Sequence, residues 1–158
     1  MGELPIRIGL LGASRIARAA VIKPAAELAG VEVTRVAASA RDKAEAYAEE
    51  HDIPGVEHDY AALVASDAVD LVYNALPPSG HMEWSVAALR AGKHVLCEKP
   101  FAMNAGEAER MVAAAEEAGL FLIEAFHYRF HPLMGRMLEI LQSGRIGEIQ
   151  SLDARFCY

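Results

Sequence analysis

Gly9-Leu10-Leu11-Gly12-Ala13-Ser14-Arg15-Ile16-Ala17 closes the apolar run Ile6–Leu11 and opens a helical pattern. At such a strand-to-helix junction the first backbone N–H groups of the helix lack partners within it, and the helix dipole adds partial positive charge. A pyrophosphate is received well there. Set against the dinucleotide fingerprint Gly-x-Gly-x-x-Gly/Ala, the matching positions are Gly12, Ser14 and Ala17. The middle glycine, which lets the backbone approach the phosphates closely, is replaced by Ser14, whose hydroxyl can compensate with a hydrogen bond. Taken alone, the motif is weak, and a plain glycine-containing turn is the alternative.

Outward from this turn, short apolar runs alternate with helical patterns. Strands are expected at Ile6–Leu11, Val31–Ala38, Asp70–Leu76, His94–Glu98 and Leu120–Ala125, with a very short one at Gly55–His58. The runs are continuous rather than alternating, as parallel strands covered on both faces require. Residues 14–29 read as a helix that Pro24 should break or kink. Arg41–His51 is helical by composition. Ser79 is placed to cap a helix whose Met82, Val86 and Leu89 share a face and which Gly92 ends. Asn104 and Glu107 form a capping-box pattern that opens a helix running to about Gly119. Strand alternating with helix predicts an α/β fold, a Rossmann-type doubly wound parallel sheet. Beyond it, Pro132–Ser143 reads as helix, Gly144–Gly147 as a turn and Glu148–Cys157 as a strand. The division is a dinucleotide-binding domain over 1–125, then an interdomain segment and the first elements of a truncated second α/β domain over 126–158.

Composition narrows the function. Of 158 residues, 22 are acidic and 15 basic, a formal net charge of -7. That balance gives no broad attraction to nucleic acid or an anionic membrane, and leaves room for a local basic site for a small phosphate ligand. No apolar run approaches the roughly 18 residues of a membrane span, and the N-terminus lacks a signal-peptide pattern. Cys97 sits in an apolar run, and it and Cys157 have no metal or disulfide spacing; a cytoplasmic protein with reduced thiols fits.

Four further segments fall at the ends of expected strands. Ser39 and Arg41 follow the second, where an acidic residue suits NAD and an arginine suits the 2′-phosphate of NADP; Asp42 reads as a helix-start residue, so NADP is favoured and NAD is the alternative. A solvated helix-start Arg41 is the alternative. Asn74-Ala75-Leu76-Pro77-Pro78-Ser79-Gly80-His81 follows the fourth, with His81 as a cofactor or substrate contact or an exposed first-turn residue. Cys97-Glu98-Lys99-Pro100 follows the fifth. Lys99 beside a nicotinamide can polarise a carbonyl or move an alcohol proton; a surface Glu98–Lys99 pair is the plainer alternative. Glu124–Pro132 is dense in aromatic residues, histidine and arginine, and suits a pocket wall. His127 and His131 have no supporting carboxylate or cysteine, so no metal is assigned.

Together these residues resemble the N-terminal domain of the Gfo/Idh/MocA oxidoreductases, above all Ala91-Gly92-Lys93-His94-Val95-Leu96-Cys97-Glu98-Lys99-Pro100 and Glu124–Pro132. The resemblance spans essentially the whole chain, and looks closest to the NADP-dependent dihydrodiol and sugar dehydrogenases. It implies a cofactor held by Gly9, Gly12, Ala13, Ser14, Arg15 and Ile16. Ser39 and Arg41 would hold the 2′-phosphate, and Leu76, Pro77, His81, Glu98 and Arg129 would line the cleft. Lys99 matches the catalytic lysine. The implied reaction is hydride transfer between NADP(H) and a secondary alcohol or carbonyl of a sugar, cyclitol or diol. The alternative is a non-catalytic NAD(P)-binding module. Members are about twice this length and form homo-oligomers through the sheet of the second domain.

Overall fold

The computed structural model describes residues 4–155. Six strands form one parallel sheet: β1 (Ile6–Leu11), β2 (Val31–Ala37), β3 (Gly55–Val56), β4 (Leu71–Asn74), β5 (His94–Cys97) and β6 (Leu122–Glu124). Their order is β3-β2-β1-β4-β5-β6, the doubly wound order whose direction reverses between β1 and β4. At that reversal the connections leave to opposite faces and a crevice opens beyond the carboxyl ends of the strands.

Both faces are covered, which explains the unbroken apolar runs. Leu10 packs with Ala17, Val21, Val36 and Tyr73 on one face. Leu11, its neighbour in sequence, packs with Leu63, Val69, Leu89 and Met111 on the other. Adjacent strand residues point oppositely, and each of these leucines is fully buried, stabilising the fold by roughly 1.5–3 kcal/mol. Cys97 belongs to the second cluster; burial first, then the nearby carboxylates Glu124 and Glu98, push its thiol up to about 12, so it behaves as an inert packing residue.

Several expectations change. Pro24 does not end the first helix. Residues 15–27 stay helical, as α1 (Arg15–Ala17), a π-helical stretch (Arg18–Ile22) and α2 (Lys23–Glu27). A proline ring in an α-helix collides with the carbonyl four residues back, here Ala20; the wider π-turn containing Ala20 relieves that collision. α3 (Arg41–Glu50) is followed by α4 (Tyr60–Ala65), a helix the sequence reading omitted; Asp59 caps it, its Oδ1 accepting from the Ala62 N–H at 2.7 Å. Ser79 caps nothing. It lies inside a 3-10 turn (Pro78–Gly80), so Gly80, not Ser79, precedes α5 (His81–Arg90). The Asn104 cap of α6 (Ala105–Ala118) forms: Asn104 Oδ1 accepts from the Glu107 N–H at 3.0 Å, while Glu107 Oε2 reaches the Met103 N–H at 3.1 Å.

The chain divides into two compact units, residues 1–125 and 126–158. The second holds a 3-10 turn (His127–Phe130) and α7 (Pro132–Gln142), capped by His131 Nδ1 accepting from the Leu133 N–H. No strand forms over residues 148–155. Strand conformation is held by ladder hydrogen bonds to a neighbour, and the described residues of this unit offer none. Residues 156–157, the end of the expected strand, lie outside the described residues.

At the end of the sheet opposite the crevice, Arg7 and Asp70 join the N-terminal ends of β1 and β4. The guanidinium donates to both carboxylate oxygens, at 2.7 and 2.9 Å, and the Arg7 N–H adds a third bond at 2.9 Å. These hydrogen bonds from Arg7 hold the Asp70 carboxyl down at about 2. A depressed carboxylate stabilises the fold above its unfolded value, and the contribution disappears as pH falls through the folded one. Asp70→Asn is therefore expected to cost about 1 kcal/mol at pH 7, a figure discounted for the partial exposure of the pair. The cost should vanish as pH falls from about 4 towards 2. Thermal melts across that range check it, and a cost independent of pH would refute the assignment.

Candidate functional site: a cleft at the sheet reversal

A cleft of about 540 Å³ lies at the carboxyl ends of β1, β2 and β4. Gly12, Ala13 and Ser14 form its floor, Ala38, Ser39 and Lys43 one end, and Ala75, Leu76 and Pro77 with Tyr60 its wall. Three backbone features build it. The Gly12 N–H donates to Ala37 O at 2.8 Å and the Ala75 N–H to Leu11 O at 3.1 Å, which carries the pairing of β1 past its end on both sides. Gly12 then turns the chain at φ +95°, where a Cβ would sit 3.3 Å from Leu76 Cδ2 and 3.4 Å from Ala75 O. Tyr47 Oη donates to Ser14 O at 2.8 Å, pinning the turn from α3.

The geometry fits a dinucleotide. The strip of backbone at Gly12 is open because no side chain stands there, as a close-lying pyrophosphate needs. Ser14 precedes α1 in extended conformation without capping the helix, so its hydroxyl is not spent on the helix end. Ala17, at the third fingerprint position, is fully buried against the sheet, where a small residue lets helix and strand approach.

Of the residues singled out from sequence, Gly12, Ala13, Ser14, Ser39, Leu76 and Pro77 meet on this cleft. Others do not. Gly9 is a packing glycine: it is buried within β1, and a Cβ there would lie 2.9 Å from side-chain atoms of Leu63 and Val69. Arg15 and Ile16 are exposed on the first turn of α1, outside the lining. Arg41 points elsewhere, its Nε donating to Glu45 Oε1 at 2.7 Å along α3. The cation on the cleft is Lys43, and Tyr60, stacked edge-on against Trp84, is a second lining residue that sequence reasoning missed. Arg129 belongs to the second unit, in an exposed 3-10 turn.

Past β5, Glu98 and Lys99 do not form the surface pair that sequence allows. Glu98 is buried; its Oε1 accepts from Tyr73 Oη at 2.7 Å and its Oε2 from the Lys99 backbone N–H at 3.1 Å. Burial, and then that bond to Glu98, push the Tyr73 hydroxyl up in pKa, so it remains a donor at ordinary pH. Glu98 thus fixes the backbone that carries Lys99, rather than lining the cleft, and leaves the Lys99 side chain exposed. The Lys99–Pro100 peptide bond is cis. His81, expected as a cofactor or substrate contact or as an exposed residue, is enclosed: it is 1% exposed and each ring nitrogen lies 2.8 Å from a backbone carbonyl. Among the described residues no three His, Cys, Asp or Glu side chains cluster as a metal site, and no helix is long and apolar enough to cross a membrane.

The fold order, the glycine turn and the cleft at the reversal define a dinucleotide-binding domain of the Rossmann type. Residues 6–126 match the model of the Gfo/Idh/MocA oxidoreductase family, NAD-binding Rossmann fold, and the chain belongs to that family. Among its relatives, the dTDP-3,4-didehydro-2,6-dideoxy-alpha-D-glucose 3-reductase of Actinomadura kijaniata is 43% identical over 96% of this chain and 46% of its own length. The D-xylose 1-dehydrogenase (NADP(+)) 2 of Haloferax volcanii is 39% identical over 95% of this chain and 46% of its own. A crystal structure of KijD10, a 3-ketoreductase from Actinomadura kijaniata, in complex with NADP and TDP-benzene superimposes with a TM-score of 0.83 at 40% identity. That superposition covers 92% of this chain and 45% of the other. The chain therefore spans about half the length of these relatives.

Proposed function

We propose that this domain binds NADP(H) and serves an oxidoreductase acting on a secondary alcohol or carbonyl of a sugar, cyclitol or diol. The observation that carries the reading is the cleft itself, with an open glycine floor at the sheet reversal and Ser39 and Lys43 together at one end. Gly12, Ala13 and Ser14 would face the pyrophosphate with N–H groups and a hydroxyl. Ser39 and Lys43 would take the 2′-phosphate. NADP(H), when bound, supplies or accepts the hydride. Lys99, at the end of β5, would hold the substrate oxygen and pass its proton. Relatives that reduce a keto sugar or oxidise xylose support this choice of substrate class.

The test is calorimetric titration of this chain with NADPH and with NADH. NADPH is expected to bind more tightly. Lys43→Ala should weaken NADPH about 10-fold, the size of one charge-assisted hydrogen bond, and NADH by less than about twofold. Arg41→Ala should cost NADPH only about two- to threefold, because its guanidinium is engaged with Glu45 and solvent-exposed. An equal loss for both cofactors would move Lys43 to the pyrophosphate. Failure of either cofactor to bind would overturn the reading.

A further inference from the structure

His81 begins α5 yet is enclosed, and its ring spans two loops. Nε2 lies 2.8 Å from Leu76 O and Nδ1 lies 2.8 Å from Pro100 O. Leu76 is on the cleft wall, and Pro100 follows Lys99. Both carbonyls stand beyond the last ladder residues of their strands, Asn74 in β4 and Cys97 in β5, so the sheet no longer supplies them with donors. A carbonyl oxygen only accepts, so a ring held 2.8 Å from both donates from at least one of its nitrogens and stands between the two loops.

The surroundings hold both ends of this span. Asn74 Oδ1 accepts from the Leu76 N–H at 3.3 Å, while Asn74 Nδ2 donates to His81 O at 3.2 Å and to Ser85 Oγ at 3.1 Å. On the far side, the Lys99 N–H is fixed by Glu98 and the Phe101 N–H by Glu124 Oε1 at 2.9 Å. Backbone N–H groups on both loops are thus anchored by side chains, and His81 is what joins one loop to the other.

We propose that His81 is a positioning residue whose ring bridges Leu76 O and Pro100 O and locks the Leu76 wall of the cleft to the Lys99–Pro100 segment, so that cofactor wall and lysine are held in one fixed relation. The functional half of this statement rests on the reading of the cleft as an NADP(H) site; the structural half does not.

Nitrogen-15 NMR of the histidine-labelled chain tests the structural half directly. At least one ring nitrogen of His81 is expected to carry a slowly exchanging proton, and rapid exchange at both would overturn the bridge. In His81→Ala, the Leu76 and Lys99 amide signals should shift together while those of Val72 and Val95, inside the strands, stay in place. NADPH affinity should fall about 10-fold, the scale of one to two lost hydrogen bonds. Added imidazole, which brings two ring nitrogens into the vacated space, should restore both the signals and the affinity; pyrrole, with one ring nitrogen, cannot reach both carbonyls and should not. An unmoved Lys99 signal, or equal rescue by pyrrole, would refute the positioning role. If the wild-type chain bound no NADPH, the cofactor reading would fail, and the ring-proton and amide signals would still decide the bridge. If His81→Ala did not fold, the wild-type ring protons would decide it alone.

Discussion

Lys99→Met is expected to lower turnover by about 100- to 10,000-fold, the range for losing a general acid–base group, while leaving NADPH affinity within about threefold. The lysine side chain is exposed at the carboxyl end of β5, and its backbone is set by Glu98, which Tyr73 holds in turn. Methionine keeps the apolar stem and removes only the ammonium. An exposed site of this kind changes stability by at most about 0.5 kcal/mol, so the loss cannot come from unfolding. The assay follows NADPH absorbance during reduction of a sugar or diol carbonyl, in a protein of its relatives' length that contains this chain. Glu98→Gln provides the contrast. It still offers an oxygen to Tyr73 or to the Lys99 N–H, so turnover should fall less than in Lys99→Met, with a measurable drop in melting temperature because the group is buried. Undiminished turnover in Lys99→Met would remove the lysine from the chemistry.

The parts of this molecule legible in the sequence are those set by local pattern. β1 runs over Ile6–Leu11 as its apolar run predicts, because both faces are covered and every residue from Ile8 to Leu11 is buried. The Gly12 turn was readable for a similar reason: the position needs a backbone that tolerates positive φ, and glycine is the residue that does so at least cost. What escaped the sequence depends on direction. Arg41 and Lys43 both start α3, but two residues on a helix point about 200° apart, so spacing alone could not say which meets the cleft. In the structure Arg41 reaches Glu45 one turn on and Lys43 lines the cleft. His81 and Glu98 escaped because their partners lie on other elements. Nothing in the sequence near His81 shows that Pro100 O will come within 2.8 Å of its ring, or that Tyr73 will claim the Glu98 carboxylate. α4 was passed over because six residues barely exceed one helical turn and show little periodicity.

Two glycines that look alike in the sequence should separate cleanly when each is changed to alanine. Gly12→Ala is expected to weaken NADPH binding about 100-fold and to cost about 1–3 kcal/mol of stability. The stability cost has a plain source: φ +95° is strained for any residue with a Cβ, and the new methyl crowds Leu76 Cδ2 at 3.3 Å. The affinity cost arises because the same methyl stands on the cleft floor, where a pyrophosphate would lie against bare backbone. Gly9→Ala should be about as destabilising, since its methyl would press to 2.9 Å on Leu63 and Val69 in a packed core. Gly9 is away from the cleft lining, so the folded fraction should bind NADPH within about twofold of wild type, below the roughly 1.4 kcal/mol that a tenfold change would require. Melting temperatures and calorimetric titrations of the two variants, taken at a temperature where both are folded, make the comparison. If Gly9→Ala lost affinity as Gly12→Ala does, the effect of either would be general loosening around β1. The glycine floor would then lose its claim to the pyrophosphate.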